Sequence, residues 1–268
     1  MSLLEEYRKQ FLWRDWDTAL STCPIQPGQH VLDLGCAVGD LSRELAQRGA
    51  IITGVDGNAE LLQFAREQNY SNCTFVQQDL SSLRLNQKFS GLWCSFTAAY
   101  FTNFAGIFDR WLTLLEDDAW ACVTEIDDLL GHEPISKTTR RRIIQFYKQA
   151  LISERYDFLS GRKIGDTITA RKFKVGKIEL RDQELSFNGP ASELILKAWS
   201  KRFDRMGLLK AFWGQEFNEF KDEFLNTLAS PIHRSLCKVL CYTCCPHDTS
   251  NIPAGQKFQP LQEVSKRT

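Results

Sequence analysis

The sequence predicts an α/β fold, a mostly parallel sheet with helices on both faces. Two observations carry this prediction. Apolar strand-like runs alternate with helical patterns from about residue 30 to about residue 130, the order that produces parallel strands joined by crossover helices. The first of these runs, Val31-Leu32-Asp33-Leu34, then turns through Gly35-Cys36-Ala37-Val38-Gly39 into a helical pattern at Leu41, Leu45 and Ala46. Glycines there allow a tight strand-to-helix turn and let a ligand approach the backbone with no Cβ in the way.

The elements follow in order. Residues 1–22 read as a helix capping the domain, with Phe11, Leu12, Trp16 and Leu20 as an uneven apolar stripe. Pro24, Pro27 and Gly28 mark a linker into the first strand. A second strand, Ile51 to Val55, ends in Asp56-Gly57, and Asn58 is placed to cap a helix over Ala59 to Gln68. Thr74 to Gln78 reads as the third strand, running into Asp79 and Leu80. Phe89 to Phe96 reads as the fourth strand and Trp120 to Ile126 as the fifth. Pro134 closes the loop that follows, and a helix resumes over Thr138 to Ser153. Alternation at Ile178, Leu180, Leu185 and Phe187 predicts a sixth strand over Lys177 to Phe187, ended by Gly189-Pro190. Helices are expected over Ser192 to Met206 and Gln215 to Leu228, then a seventh strand over Arg234 to Thr243. Roughly 45 residues separate the last two strands, far more than a hairpin needs, so residues 188–230 read as a helical insertion. Residues 1–245 are expected to form one domain and 246–268 a mobile tail.

The first turn also selects among ligands. A carboxylate ending the second strand, as Asp56 does, can accept both hydroxyls of a ribose, although it can equally cap a helix. A dinucleotide-binding turn needs Gly-x-Gly-x-x-Gly, and counting from Gly35 the later glycine positions hold Ala37 and Asp40. An acid at the helix start repels a pyrophosphate. No Gly-Lys-Ser/Thr follows, so a phosphate-binding loop fails as well. These residues fit a nucleoside that carries no phosphate.

Leu32-Asp33-Leu34-Gly35-Cys36-Ala37-Val38-Gly39 resembles motif I of the class I S-adenosylmethionine-dependent methyltransferases, small-molecule branch, departing from it at Ala37 where the family has glycine. Gly54-Val55-Asp56-Gly57-Asn58 resembles the family's second-strand motif, and Thr74-Phe75-Val76-Gln77-Gln78-Asp79-Leu80 its third strand with the acid on the adenine side. The likeness covers residues 30 to 130 in four ordered elements. It implies a Rossmann-like seven-stranded sheet with a helical lid insertion between the last two strands. It implies S-adenosyl-L-methionine as cofactor, bound by Asp33, Gly35, Cys36, Gly39, Asp56, Gly57, Gln78, Asp79, Leu80 and Ser95. It places Thr97, Tyr100 and Phe101 in the methyl-transfer pocket. An aromatic residue of the N-terminal helix, Tyr7, Trp13 or Trp16, is expected to close over the cofactor. Cys36 reads equally well as a packing residue.

Composition narrows the partners. Lys plus Arg equal Asp plus Glu at 33 each, so overall charge makes no case for nucleic acid. No apolar run is long enough to span a membrane, and the charged, amphipathic N-terminus lacks the apolar core of a secretory signal. Nine cysteines in such a chain read as reduced thiols of a cytoplasmic protein. Cys237 and Cys241 fall on the predicted seventh strand and Cys244 just past its end, where continued alternation points Cys244 away from the other two. They therefore read as buried small residues, and no metal site is expected. Charge is unevenly distributed: from Asp109 to Glu133 there are eight acids and one base, and from Lys137 to Arg181 thirteen bases and four acids. Two solvated faces that attract each other explain this, as does an anionic substrate or an RNA backbone lying along the basic segment.

Methyl transfer needs alignment and exclusion of water, and a base only where the acceptor must lose a proton. After the fifth strand, Glu125, Asp127, Asp128, His132 and Glu133 form the richest group of titratable residues. His132 and Glu125 are the candidate catalytic residues, His132 because imidazole titrates near neutrality. Asp127 and Trp13 are assigned to the substrate pocket. The same acids also read as an ordinary solvated loop. The expected acceptor is a small organic molecule. The alternatives are a methyltransferase acting on protein or RNA, and a non-catalytic S-adenosylmethionine-binding protein.

Overall fold

A computed structural model describes residues 3–171 and 173–246. The expected tail, apart from Pro246, lies outside these residues. Two short helices open the chain, α1 (Leu3–Leu12) and α2 (Trp16–Ser21). The single helix expected over 1–22 is interrupted because Asp15 leaves helical geometry and caps α2, accepting a hydrogen bond from the backbone N–H of Thr18 at 3.2 Å.

Five strands then alternate with helices: β1 (His30–Leu34), α3 (Asp40–Gln47), β2 (Ile51–Asp56), α4 (Ala59–Glu67), β3 (Cys73–Gln77), β4 (Phe89–Ser95), α5 (Phe104–Leu112) and β5 (Leu115–Asp127). Asn58 caps α4 as expected, its Oδ1 accepting from the N–H groups of Glu60 and Leu61. A two-residue strand, β6 (His132–Glu133), precedes α6 (Lys137–Ile152), α7 (Ser160–Thr169) and β7 (Phe173–Leu180). The insertion comprises α8 (Glu193–Arg205), α9 (Gly207–Trp213) and α10 (Phe217–Ala229), and is followed by β8 (Arg234–Ser235) and β9 (Lys238–Pro246).

Seven strands form one sheet in the order β3-β2-β1-β4-β5-β9-β7. The first five are parallel, while β9 runs antiparallel to both β5 and β7. This is the Rossmann-like sheet expected, with its helical insertion between the last two strands. The fifth strand starts at Leu115 rather than Trp120, because Leu115 already pairs with Phe89 of β4. Two further sequence expectations shift. The sixth strand spans 173–180 rather than 177–187, because Asp182 Oδ1 accepts the N–H groups of Glu184 and Leu185, both at 2.8 Å, and folds the chain into a turn. The last long strand starts at Lys238 because Leu236 and Cys237 both donate to the carbonyl of Gly131, leaving Arg234–Ser235 to pair with β6.

The two sheet faces bury separate cores. Cys237, Cys241 and Cys245 enter one and Cys244 the other, as alternation requires. The aromatic residues of the insertion (Trp199, Phe203, Trp213, Phe217, Phe220 and Phe224) pack into the first of these cores, which also takes in α2 and α6. Among the described residues no helix is long and apolar enough to cross a membrane.

Candidate functional site

Strand order reverses at β1, which pairs with β2 on one side and β4 on the other. An open α/β sheet leaves a crevice at such a point, beyond the carboxyl ends of the strands. A cavity of about 780 Å³ opens there, large enough for a nucleoside and a small second molecule.

The turn after β1 builds one wall. Gly35 (φ +76°) and Gly39 (φ +77°) adopt the left-handed conformation. A Cβ on Gly35 would collide with Thr97 Oγ1, and one on Gly39 would lie 2.6 Å from the Phe75 ring. Ala37 is left-handed too, at φ +46°, a conformation that glycine adopts more readily than alanine. Its backbone N–H donates to Asp56 Oδ2 at 2.9 Å, while Asp56 Oδ1 accepts from Asn58 N–H at 2.8 Å. Each carboxylate oxygen keeps lone-pair capacity for a further donor.

Asp33 is buried at the base of the cavity, accepting from Ser42 Oγ at 2.5 Å. Burial pushes its carboxyl up to about 7, against the Ser42 hydrogen bond, and the charge of Asp56 adds to the rise. Asp40, at the start of α3, is also raised by burial, with Arg43 opposing. Asp79 sits exposed at the far end, held below its ordinary range by the N–H of Ser81. Gln78 is clamped by two hydrogen bonds to the backbone of Arg84, each 3.1 Å.

Nine of the ten residues assigned to cofactor binding line this one cavity: Asp33, Gly35, Cys36, Asp56, Gly57, Gln78, Asp79, Leu80 and Ser95. Gly39 lies behind it as the N-cap of α3, against Phe75. Thr97, Tyr100 and Phe101 line the same cavity, together with Tyr7, Trp16, Phe96 and Tyr156.

The other assignments fall elsewhere. Trp13 packs into the apolar core while its carbonyl accepts from Gln183 N–H, and Trp16 takes the cavity position instead. Asp127 and Asp128 are not cavity residues, because bases from the following helices neutralise them. Arg162 Nε donates to Asp127 at 2.7 Å, and Arg140 pairs with Asp128. The attraction between the acidic and basic stretches is thus internal.

Glu125 is fully buried beneath the cavity. It accepts the N–H groups of Ala99 at 3.0 Å and Ile126 at 2.8 Å, and burial raises it to about 7 despite them. Its side chain holds the Ala98–Tyr100 turn from below and does not reach the lumen. His132 is equally buried and does not line the crevice, enclosed by Phe187, Trp199 and Phe224. Its Nδ1 lies 3.0 Å from Nε2 of His233, whose own Nδ1 donates to the Gly189 carbonyl. Burial, then His233, lowers His132 to about 3, so it is a neutral core residue.

Sequence reading missed Arg14 and Arg202, which both line the cavity. Arg14 lies in the link between α1 and α2, and Arg202 on the inserted helix α8. No local motif brings them together; the fold does.

Residues 31–118 match a family described as a methyltransferase domain. Over 71 residues the chain is 42% identical to the ubiquinone biosynthesis O-methyltransferase of Coxiella burnetii, a match covering 25% of this chain and 30% of that protein. Over 68 residues it is 43% identical to the 23S rRNA (uracil(1939)-C(5))-methyltransferase RlmD of Shewanella sp., covering 24% of this chain and 15% of that protein. The matches thus span under a third of either relative. The fold is similar to that of a Haemonchus contortus N-methyltransferase solved with phosphomonomethylethanolamine and S-adenosylhomocysteine, with TM-score 0.56 and 15% identity, covering 91% of this chain and 56% of that one.

Proposed function

We propose that this chain, which carries a class I S-adenosylmethionine-dependent methyltransferase domain, transfers a methyl group from S-adenosylmethionine to an oxygen or nitrogen atom of a small organic acceptor. The observation that carries this reading is the division of the crevice. Its aspartates, Asp33, Asp40, Asp56 and Asp79, all come from the ends of β1, β2 and β3 or the start of α3, whereas its aromatic lining comes from α1, α2, the turn after β4 and the segment before α7.

The acidic half suits the cofactor. Asp56 accepts the two ribose hydroxyls, Asp79 faces the adenine amine, and Asp33 meets the cationic amino-acid end. When bound, S-adenosylmethionine supplies an electrophilic methyl carbon on a sulfonium. The chain's own residues position and enclose. The strand-four turn, Ser95 to Phe101, borders both halves, and Glu125 fixes it from below. Trp16, Phe96, Tyr100 and Tyr156 shape an apolar wall that seats the acceptor and keeps water from the line of attack.

Among the described residues lining the crevice, the groups able to take a proton are aspartates, tyrosines and Cys36. The aspartates are assigned to the cofactor in this reading, so the acceptor enters with its nucleophilic lone pair available, or loses its proton to solvent as the bond forms. We place the protein in the cytoplasm, where nine cysteines stay reduced.

Incubation with methyl-radiolabelled S-adenosylmethionine and a metabolite extract tests the reading. Label in the small-molecule fraction is expected. Label confined to protein or RNA would move the function to a macromolecular acceptor.

A further inference from the structure

Tyr100 and Tyr156 both line the crevice and meet edge to face, their ring centroids 5.0 Å apart. Tyr100 ends the short turn after β4, and Tyr156 lies in the link between α6 and α7. Resting on the methyltransferase reading above, we propose that these two tyrosines form the recognition surface for the acceptor, and that Glu125 is the positioning residue that keeps both rings in register through the backbone of Ala99.

The joint between them is a short chain of hydrogen bonds. Ala99 N–H donates to Glu125 Oε2 at 3.0 Å, and the Ala99 carbonyl accepts from Asp157 N–H at 2.8 Å. Ala99 immediately precedes Tyr100 and Asp157 immediately follows Tyr156, so each ring stands one residue from this joint. Ile126 N–H fixes the other carboxylate oxygen at 2.8 Å. Asp128 N–H donates to the Phe158 carbonyl at 2.9 Å, tying the Tyr156 link to the end of β5 a second time. Ala99 and Glu125 are both fully buried, where a bond given up is costly.

The surface so held is polar as well as aromatic. Neither phenolic hydroxyl makes a hydrogen bond to another described residue. A phenol can donate or accept, so the pair suits an uncharged hydroxyl or amine on the acceptor.

The joint is strongest with Glu125 ionised. Both its oxygens accept, and protonation removes the charge from both bonds and turns one oxygen into a hydroxyl, the weaker acceptor. Burial raises Glu125 to about 7, against the N–H groups of Ile126 and Ala99, and the charge of Asp157 adds to the rise. Asp157 is itself paired with Lys163 at 2.6 Å. The other titratable groups facing Glu125 are Cys94 of β4 and the two tyrosines, all neutral near pH 7. The recognition surface is therefore expected to tighten as pH rises through 7. Folding stability runs the other way. The folded value lies above the ordinary 4.5, so the contribution of Glu125 to stability is complete below pH 4.5 and is lost as pH rises through 7. Opposed trends separate positioning from a scaffold role.

The test has two arms on the full chain, each comparing wild type with Glu125→Gln, the uncharged analogue of the protonated acid. Hydrogen exchange with S-adenosylhomocysteine bound reads the protection of the Ala99 and Asp157 amides at pH 6 and pH 8. Methyl transfer from radiolabelled S-adenosylmethionine to a metabolite extract reads the amount of extract that gives half-maximal rate. Wild type and Glu125→Gln should agree at pH 6 in both arms. At pH 8 the variant should show about tenfold lower protection and need about tenfold more extract, the worth of one charge-assisted contact. Tyr156→Phe should also raise the extract requirement while leaving the dependence on S-adenosylmethionine concentration unchanged. Agreement at both pH values, a tenfold gap already present at pH 6, or wild-type behaviour of Tyr156→Phe would overturn the proposal. Should Glu125→Gln not fold, wild-type exchange decides: Ala99 protection that does not rise between pH 6 and pH 8 overturns it. Failure of S-adenosylhomocysteine to bind, or label absent from the small-molecule fraction, would instead overturn the reading beneath it.

Discussion

The backbone N–H of Ala37 donates to Asp56 Oδ2 at 2.9 Å, tying the turn after β1 to the end of β2. One carboxylate thereby fixes the shape of the turn and presents itself to the crevice. Truncating it should damage both. Asp56→Ala is expected to weaken S-adenosylhomocysteine binding by about 100-fold, since two charge-assisted contacts are lost. Equilibrium dialysis checks this, and unchanged affinity would contradict the ribose assignment.

Ala37 itself is strained. A left-handed alanine costs about 1 kcal/mol relative to glycine, so Ala37→Gly should stabilise the chain by ~0.5–1 kcal/mol in urea unfolding. Gly39→Ala makes the opposite change at φ +77° and adds a contact at 2.6 Å with Phe75. It should cost about 2 kcal/mol or more. Equal effects of the two substitutions would contradict this account of the turn.

This turn marks how far the sequence could be read. The glycines, Asp33 and Asp56 lie in one contiguous stretch whose pattern is set by local backbone geometry, so both the fold and the strand-end lining of the crevice were legible. The rest of its lining was not. Arg14, Tyr156 and Arg202 are far apart along the chain and meet only through tertiary packing. His132 misled for the same reason: its position after β5 suggested the active-site edge, but pairing of β6 with β8 turns it into the aromatic core beside His233. The sixth strand was misplaced because apolar alternation continues through Leu185 and Phe187, although Asp182 has already turned the chain.

Asp33 predicts a pH dependence of binding. Its folded-state value of about 7, above the ordinary 3.8, means that the empty crevice still holds this proton at pH values where an exposed aspartate has lost it. A cationic amine prefers the carboxylate, so S-adenosylhomocysteine affinity should rise as pH climbs through 7, with a proton released on binding below it. Calorimetry in buffers of different ionisation enthalpy reads that proton directly. Asp33→Asn should remove it.

His132 predicts the opposite kind of dependence, on stability. Its folded-state value of about 3 lies below the ordinary 6.5, so the unfolded chain binds a proton that the native core refuses. The contribution is therefore fully present above pH 6.5 and lost as pH falls towards 3. His132→Phe should make the unfolding free energy fall less steeply between pH 6.5 and 5 than in the wild type. A slope unaltered by the substitution would show that His132 is not buried in the neutral form.

The central claim is that the crevice beyond β1 takes an adenosine bearing an amino acid. Calorimetric titration of the wild-type chain with S-adenosylhomocysteine and, separately, with NADH tests it most directly. One-to-one binding of S-adenosylhomocysteine, lost in Asp56→Ala, and no heat from NADH are expected. Saturable binding of NADH with none of S-adenosylhomocysteine would contradict it.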